Sequence, residues 1–205
     1  KCEELRQYFH VTCELFEKIF EHLLGDEAYY VQPIHKLRHP LIFYHGHTAT
    51  FYLNKLAVAG LIQRINPKFE EMFATGVDEM SWDDLSRDAT EWPALHDVQA
   101  YRKQVYECVR TLIEESPAFD ESRRPFLQGS QAWALVMGCE HERIHIETSS
   151  VLIREQPLAW VKRPVHWPAL HDSAVAGRGE LPANPLIDVA GETIELGKPR
   201  DWPSF

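Results

Sequence analysis

No apolar stretch in these 205 residues is long enough to span a bilayer. No charged-then-apolar leader opens the chain, so no secretory signal is expected. Basic residues are in deficit: 21 Lys and Arg face 31 Asp and Glu, a net charge of −10 with His neutral. That balance argues against a grip on nucleic-acid phosphates and against an anionic membrane surface. No CxxC pair exists. Cys2, Cys13, Cys108 and Cys139 stand far apart in helix-like segments, which points to a reducing, cytoplasmic setting without a disulfide framework. There is no GxSxG, no P-loop and no GxGxxG, which removes the usual hydrolase and nucleotide signatures. Internal repeats and low-complexity tracts are missing too. Histidine is what the chain has in plenty. There are 11, gathered between Pro33 and His47 and again between Glu140 and Glu147.

Apolar residues make up 44% and charged residues 25%, ordinary for a globular protein long enough to bury a real core. Four segments carry helical periodicity. The first runs from Glu3 to Leu24, with Leu5, Phe9, Thr12, Phe16, Ile19 and Leu23 on one face and Gly25 as its stop. The second runs from Pro40 to Ile62, with Pro40 suited to a first turn. The third runs from His96 to Glu115, closed by Ser116-Pro117. The fourth is the longest, from Pro125 to Gln156, ended by Pro157. Asn66 to Pro93 reads as a long irregular crossover carrying Trp82 and Trp92. After Pro157 the period vanishes, and Leu186–Val189 and Glu192–Leu196 read as a short β-hairpin around Ala190-Gly191. The expected architecture is an all-α four-helix bundle over 1–158. Residues 159–205 are expected to be a linker and the start of a second, truncated domain. A first residue that is Lys and the abrupt ending Arg200–Phe205 fit a piece of a longer protein.

The sharpest local signal is His141-Glu142-Arg143-Ile144-His145. Histidines four apart share a helical face, about 6 Å apart along the axis, and both imidazoles reach one ion. His47, on the second helix, shares a face with Phe51, Asn54 and Val58. Facing helices of a bundle build metal sites in its core. His47, His141 and His145 are therefore the expected ligands, with Asn54 a candidate supporting partner. Three neutral imidazoles leave open positions on the ion, as in reactive rather than structural sites. The same five residues match the HExxH signature, where Glu142 would be the general base of a zinc protease. The HxxGxxH extension is missing, however. Glu147 lies about 200° around the helix from His145 and is expected to be no ligand. His45 reads as a packing or surface residue, and His35 and His39 as lining the mouth of the site. The aromatic pairs Phe43-Tyr44 and Phe51-Tyr52 read chiefly as core.

Gly46-His47-Thr48 together with His141, His145 and Glu147 resembles the DinB-like metal-binding bundle. More closely, it resembles the N-terminal domain of the sulfoxide synthases of thiol-histidine biosynthesis. Arg38-His39-Pro40-Leu41-Ile42-Phe43-Tyr44, Gly46–Phe51, Gly76–Asp84 and Glu140–Glu147 resemble the ovothiol branch, the 5-histidylcysteine sulfoxide synthases. Gly191–Phe205 resembles the approach to that family's second domain, which has a formylglycine-generating-enzyme-like fold. The chain departs from the pattern at His45, where an aromatic residue is expected. The resemblance implies Fe(II) held by His47, His141 and His145, and coupling of cysteine to the histidine imidazole with O₂. It implies a catalytic tyrosine in the second domain, so no catalytic residue of that kind is expected in this chain. It also suggests that Ile144 shapes the histidine pocket and that Asp78–Asp84 meets the second domain. Two rivals stay open: a DinB-like zinc or nickel thiol-dependent transferase, and a plain metal-binding module. This chain alone is expected to bind metal weakly and turn over nothing.

Overall fold

The computed structural model describes residues 2–35, 38–74, 91–165, 184–199 and Trp202. Five α-helices are formed among them: α1 Glu3–Phe20, α2 Leu41–Val58, α3 Pro67–Met72, α4 Leu95–Glu115 and α5 Gln131–Arg154. The four long ones make the expected all-α bundle. Helices α1 and α2 each pack against both α4 and α5. Every residue of α2 from Leu41 to Leu53 is buried. Such a helix cannot be amphipathic; it is the central rod around which the others are laid. It carries His45, His47, Thr48 and Thr50 inside with it, and that interior polarity marks where the chemistry sits.

The helix ends are set by local chemistry. Helix α2 stops at Val58, four residues short of expectation, because Gly60 turns the chain at φ +72°. Helix α5 starts at Gln131 rather than Pro125, after Gly129 at φ +84°. There Ser130 caps it by accepting the Trp133 N–H. Helix α1 ends at Phe20 rather than Leu24. The chain beyond it turns to pair with the segment after α5: Leu24 N–H donates to Trp160 C=O and Lys162 N–H to His22 C=O. The segment from Asn66 was expected to be irregular, yet its beginning is α3. Asn66 caps that helix through the Phe69 N–H and Pro67 takes its first position.

The hairpin expected at Leu186–Leu196 is not formed. Residues 184–199 run without a ladder, and Leu186, Ile187, Val189, Ile194 and Leu196 are exposed. Two isolated strands are marginal in water unless a third strand or a helix covers their apolar face, and nothing among the described residues does so. The block Gly76–Asp84, Trp82, His166, His171 and most of the terminal Arg200–Phe205 lie outside the described residues. No described helix is long and apolar enough to cross a membrane.

Candidate metal centre

His47 comes from the buried middle of α2, and His141 and His145 from adjacent turns of α5. The structure brings these three together. One ligand nitrogen from each lies within 4.8 Å of the others, and no carboxylate joins them among the described residues. The Nε2 atoms of His141 and His145 are 3.2 Å apart. Two nitrogens on one ion, each at about 2.1 Å and subtending about 90–109°, stand about 3.0–3.4 Å apart. The spacing therefore fits a shared ion. So does the chemistry: three imidazoles with no carboxylate beside them offer nitrogen donors to one cation.

Each ring is held. His47 donates from Nδ1 to the Phe73 carbonyl at 2.6 Å, which fixes the tautomer and leaves Nε2 for a metal. Phe43 stacks on His47 at 4.9 Å between centroids, and Phe51 lies flat on His141 at 3.7 Å. Tyr44 stands 5.5 Å from His145. Residues 43, 47 and 51 are one face of α2, so the side chains expected to be mere core wall the site. Phe73 was missed altogether, because a backbone carbonyl leaves no mark in a sequence. Asn54 is bonded elsewhere. It donates to the Glu70 carbonyl at 3.3 Å and ties α3 to α2. Glu70 in turn accepts from the N–H groups of Ile65 and Asn66 at 2.7 Å and pairs with Arg64. Helix α3 is thereby locked where its last turn delivers Phe73 to His47.

The other expected residues fall elsewhere. Glu142 is wholly buried on a face of α5 turned about 80° from the two histidines, bonded to Tyr52, Tyr106 and Arg102. It cannot serve as a base facing the triad, so the zinc-protease alternative is overturned. His45 is buried, not superficial, in a box of Phe16, Phe20 and Tyr29, with both ring nitrogens unpartnered. His39 sits one ring away from the triad, 4.3 Å from Phe43. Ile144 is 58% exposed.

Burial pushes the imidazoles down: His47 to about 4, His145 to about 3 and His141 to about 2. The triad's own histidines lower His141 and His145 further, with Lys55 adding to the first and Arg38 to the second. At neutral pH all three are unprotonated, with lone pairs ready for a cation. The sign of the pH effect follows. The unfolded chain takes up protons near pH 6.5 while the folded one does not. Metal-free stability is full above about pH 6.5 and falls as pH drops from there toward 4. His45, held well below its ordinary value by burial, acts in the same direction. A marked loss of stability between about pH 7 and 4.5 is expected. Urea midpoints at stepped pH measure it, and a flat profile across that window would contradict the buried, neutral triad.

The central rod and a neighbouring helix of the bundle bring three histidines to one point, an arrangement that could hold a metal ion. Residues 8–149 match the DinB superfamily, and the chain belongs to it. It is also 25% identical over 188 residues to the Neurospora crassa protein named ergothioneine biosynthesis protein 1. The match takes in 89% of this chain but spans only 20% of that relative.

Proposed function

We propose that this chain is the metal-binding domain of an Fe(II)- and O₂-dependent sulfoxide synthase of the ovothiol type. The parent would join cysteine to the histidine imidazole as 5-histidylcysteine sulfoxide. The observation that carries the reading is the convergence of His47, His141 and His145 on one point with no carboxylate among them. Membership of the DinB superfamily and the similarity to a protein named for ergothioneine biosynthesis support it. So does the likeness of Arg38–Phe51 and Glu140–Glu147 to the ovothiol branch.

Bound Fe(II) would supply the redox and dioxygen chemistry of the coupling. The chain's own residues do the rest. His47, His141 and His145 would hold the ion through neutral imidazoles. Being neutral, they would leave the ion's charge uncompensated by the protein. Phe43 and Phe51 shield two of the ligand rings from water. The Phe73 carbonyl keeps His47 in the binding tautomer. Ile144, exposed beside His145, is proposed to shape the histidine pocket together with the parent's second domain. Ile144→Gln should change histidine affinity or product distribution.

The test uses the intact parent loaded anaerobically with Fe(II), then given cysteine, histidine and O₂. Mass spectrometry should find the cysteine–histidine sulfoxide, lost in His141→Ala, while the 205-residue chain alone yields none. Tight zinc binding without oxygen consumption would overturn the synthase reading and put the thiol-dependent transferase in its place.

A further inference from the structure

The apolar anchorage of helix α5 thins out where the histidines are. Ala132, Leu135, Gly138 and Cys139 are buried at one end, and Leu152 and Ile153 at the other. Between them the fully buried side chains are Glu142 and Ser149. A helix takes its rotation from the apolar stripe it buries. Over this stretch the partly buried Ile146 still packs on the core, and polar bonds share with it in deciding which way His141 and His145 point.

We infer that Glu142 is a positioning residue: its buried carboxylate sets the rotation of α5 and thereby aims His141 and His145 at His47. The inference rests on the triad being a metal site. Glu142 lies about 80° around the helix from the midpoint of His141 and His145, so the two faces turn together. Its carboxylate is tied to all three neighbouring long helices. Tyr52 of α2 donates to Oε2 at 3.0 Å, and the Cys13 thiol of α1 approaches the same oxygen at 3.9 Å. Tyr106 of α4 donates to Oε1, joined there by Arg102 Nη2 at 3.3 Å. Arg102 then spreads the constraint. It donates to the His45 carbonyl at 2.6 Å and to Thr48 Oγ1 at 2.7 Å, on either side of His47, and to Glu17 of α1 at 2.8 Å. One guanidinium therefore braces the backbone beside one ligand and the carboxylate between the other two.

Stability alone does not account for this cluster. Well-packed apolar residues in place of a buried ion pair leave stability equal or better in many proteins. What directional bonds add is a single permitted arrangement. Here that arrangement is the one in which three nitrogens meet.

The test is Co(II) binding to the full 205-residue chain, read by titration and by the ligand-field absorption of the bound ion. Glu142→Leu keeps the volume and removes every bond. Tyr52→Phe deletes the bond to Oε2, and Tyr106→Phe deletes the bond to Oε1 and the one accepted from Arg102; both keep the ring, which leaves folded variants if Glu142→Leu fails to fold. Each folded variant should unfold cooperatively yet bind Co(II) about 10–100-fold more weakly, with a shifted absorption band. Glu142→Gln, whose carbonyl oxygen can accept from Tyr106 and Arg102 while its amide N–H donates to the Tyr52 hydroxyl oxygen, should restore most of the affinity and the wild-type spectrum. Wild-type affinity and spectrum in all folded variants would overturn the inference while leaving the triad intact. Absence of Co(II) binding by the unaltered chain would overturn both.

Discussion

Replacing His141 with Ala is expected to lower the affinity of the chain for a divalent ion by more than about 100-fold. Loss of a group that merely orients a ligand typically costs about 10–100-fold, so loss of a ligand must exceed that range. The fold should tolerate the change. His141 brings into the bundle an imidazole held unprotonated by burial, with an Nδ1 that finds no partner. Removing it gives up the stack on Phe51 but also removes an unsatisfied polar atom. The two effects oppose, and metal-free stability should change by no more than about 1–2 kcal/mol. Anaerobic titration with Fe(II) and with Zn(II), beside urea unfolding of the metal-free protein, separates the quantities. His45→Phe is the control. That ring sits among Phe16, Phe20 and Tyr29, away from the triad, so metal affinity should persist. Unchanged affinity in His141→Ala would remove the metal centre from consideration.

The triad was legible because its chemistry is written in residue type and period. Histidines four apart on a periodic segment must share a face, and a third on another helix of a small bundle has few places to go. The long helices were legible for the same reason, and their ends were not. Val58, Phe20 and Gln131 are boundaries set by a left-handed glycine, a pairing with distant Trp160, and a serine cap. All three act over a residue or two, below the resolution of periodicity. The tail misled for an instructive reason. Alternating apolar residues around Ala190-Gly191 have strand propensity, but propensity forms a hairpin only where another surface buries one face.

Glu142 shows the opposite limit. The HExxH pattern assigns its glutamate to the metal, but the pattern carries no information about which way the helix faces. Tyr52, Arg102 and Tyr106, far away in sequence, claim that carboxylate for the core. Lone polar positions on periodic helices are routinely read as solvent-facing, and this one is wholly buried. Phe73 was invisible for a different reason. Its contribution to the site is a carbonyl that every residue has, made special only by where α3 ends.

Gly46→Ala tests that last point. Alanine is favoured over glycine inside a helix by about 1 kcal/mol, so on propensity alone the variant should be more stable. Packing reverses the sign. A Cβ at position 46 would stand 2.6 Å from the Phe73 ring. That ring has no room to retreat. It is fully buried, stacked on Trp92 and bordered by Phe43 and Phe69. Overpacking of this kind costs about 1–3 kcal/mol, which outweighs the helical gain. The ring and the carbonyl that receives His47 Nδ1 belong to one residue, so displacing the first disturbs the second. The expected result is a bundle destabilised by about 1–2 kcal/mol whose divalent-ion affinity falls about tenfold. Gly191→Ala, facing open space, should do neither. Urea midpoints and metal titrations on both variants decide the matter. A Gly46→Ala protein that is more stable and binds metal normally would mean that Phe73 yields freely and that His47 is held by the metal alone. A joint loss would show that a missing methyl group on α2 is what lets α3 close against the ligand, so that the glycine beside His47 is part of the site.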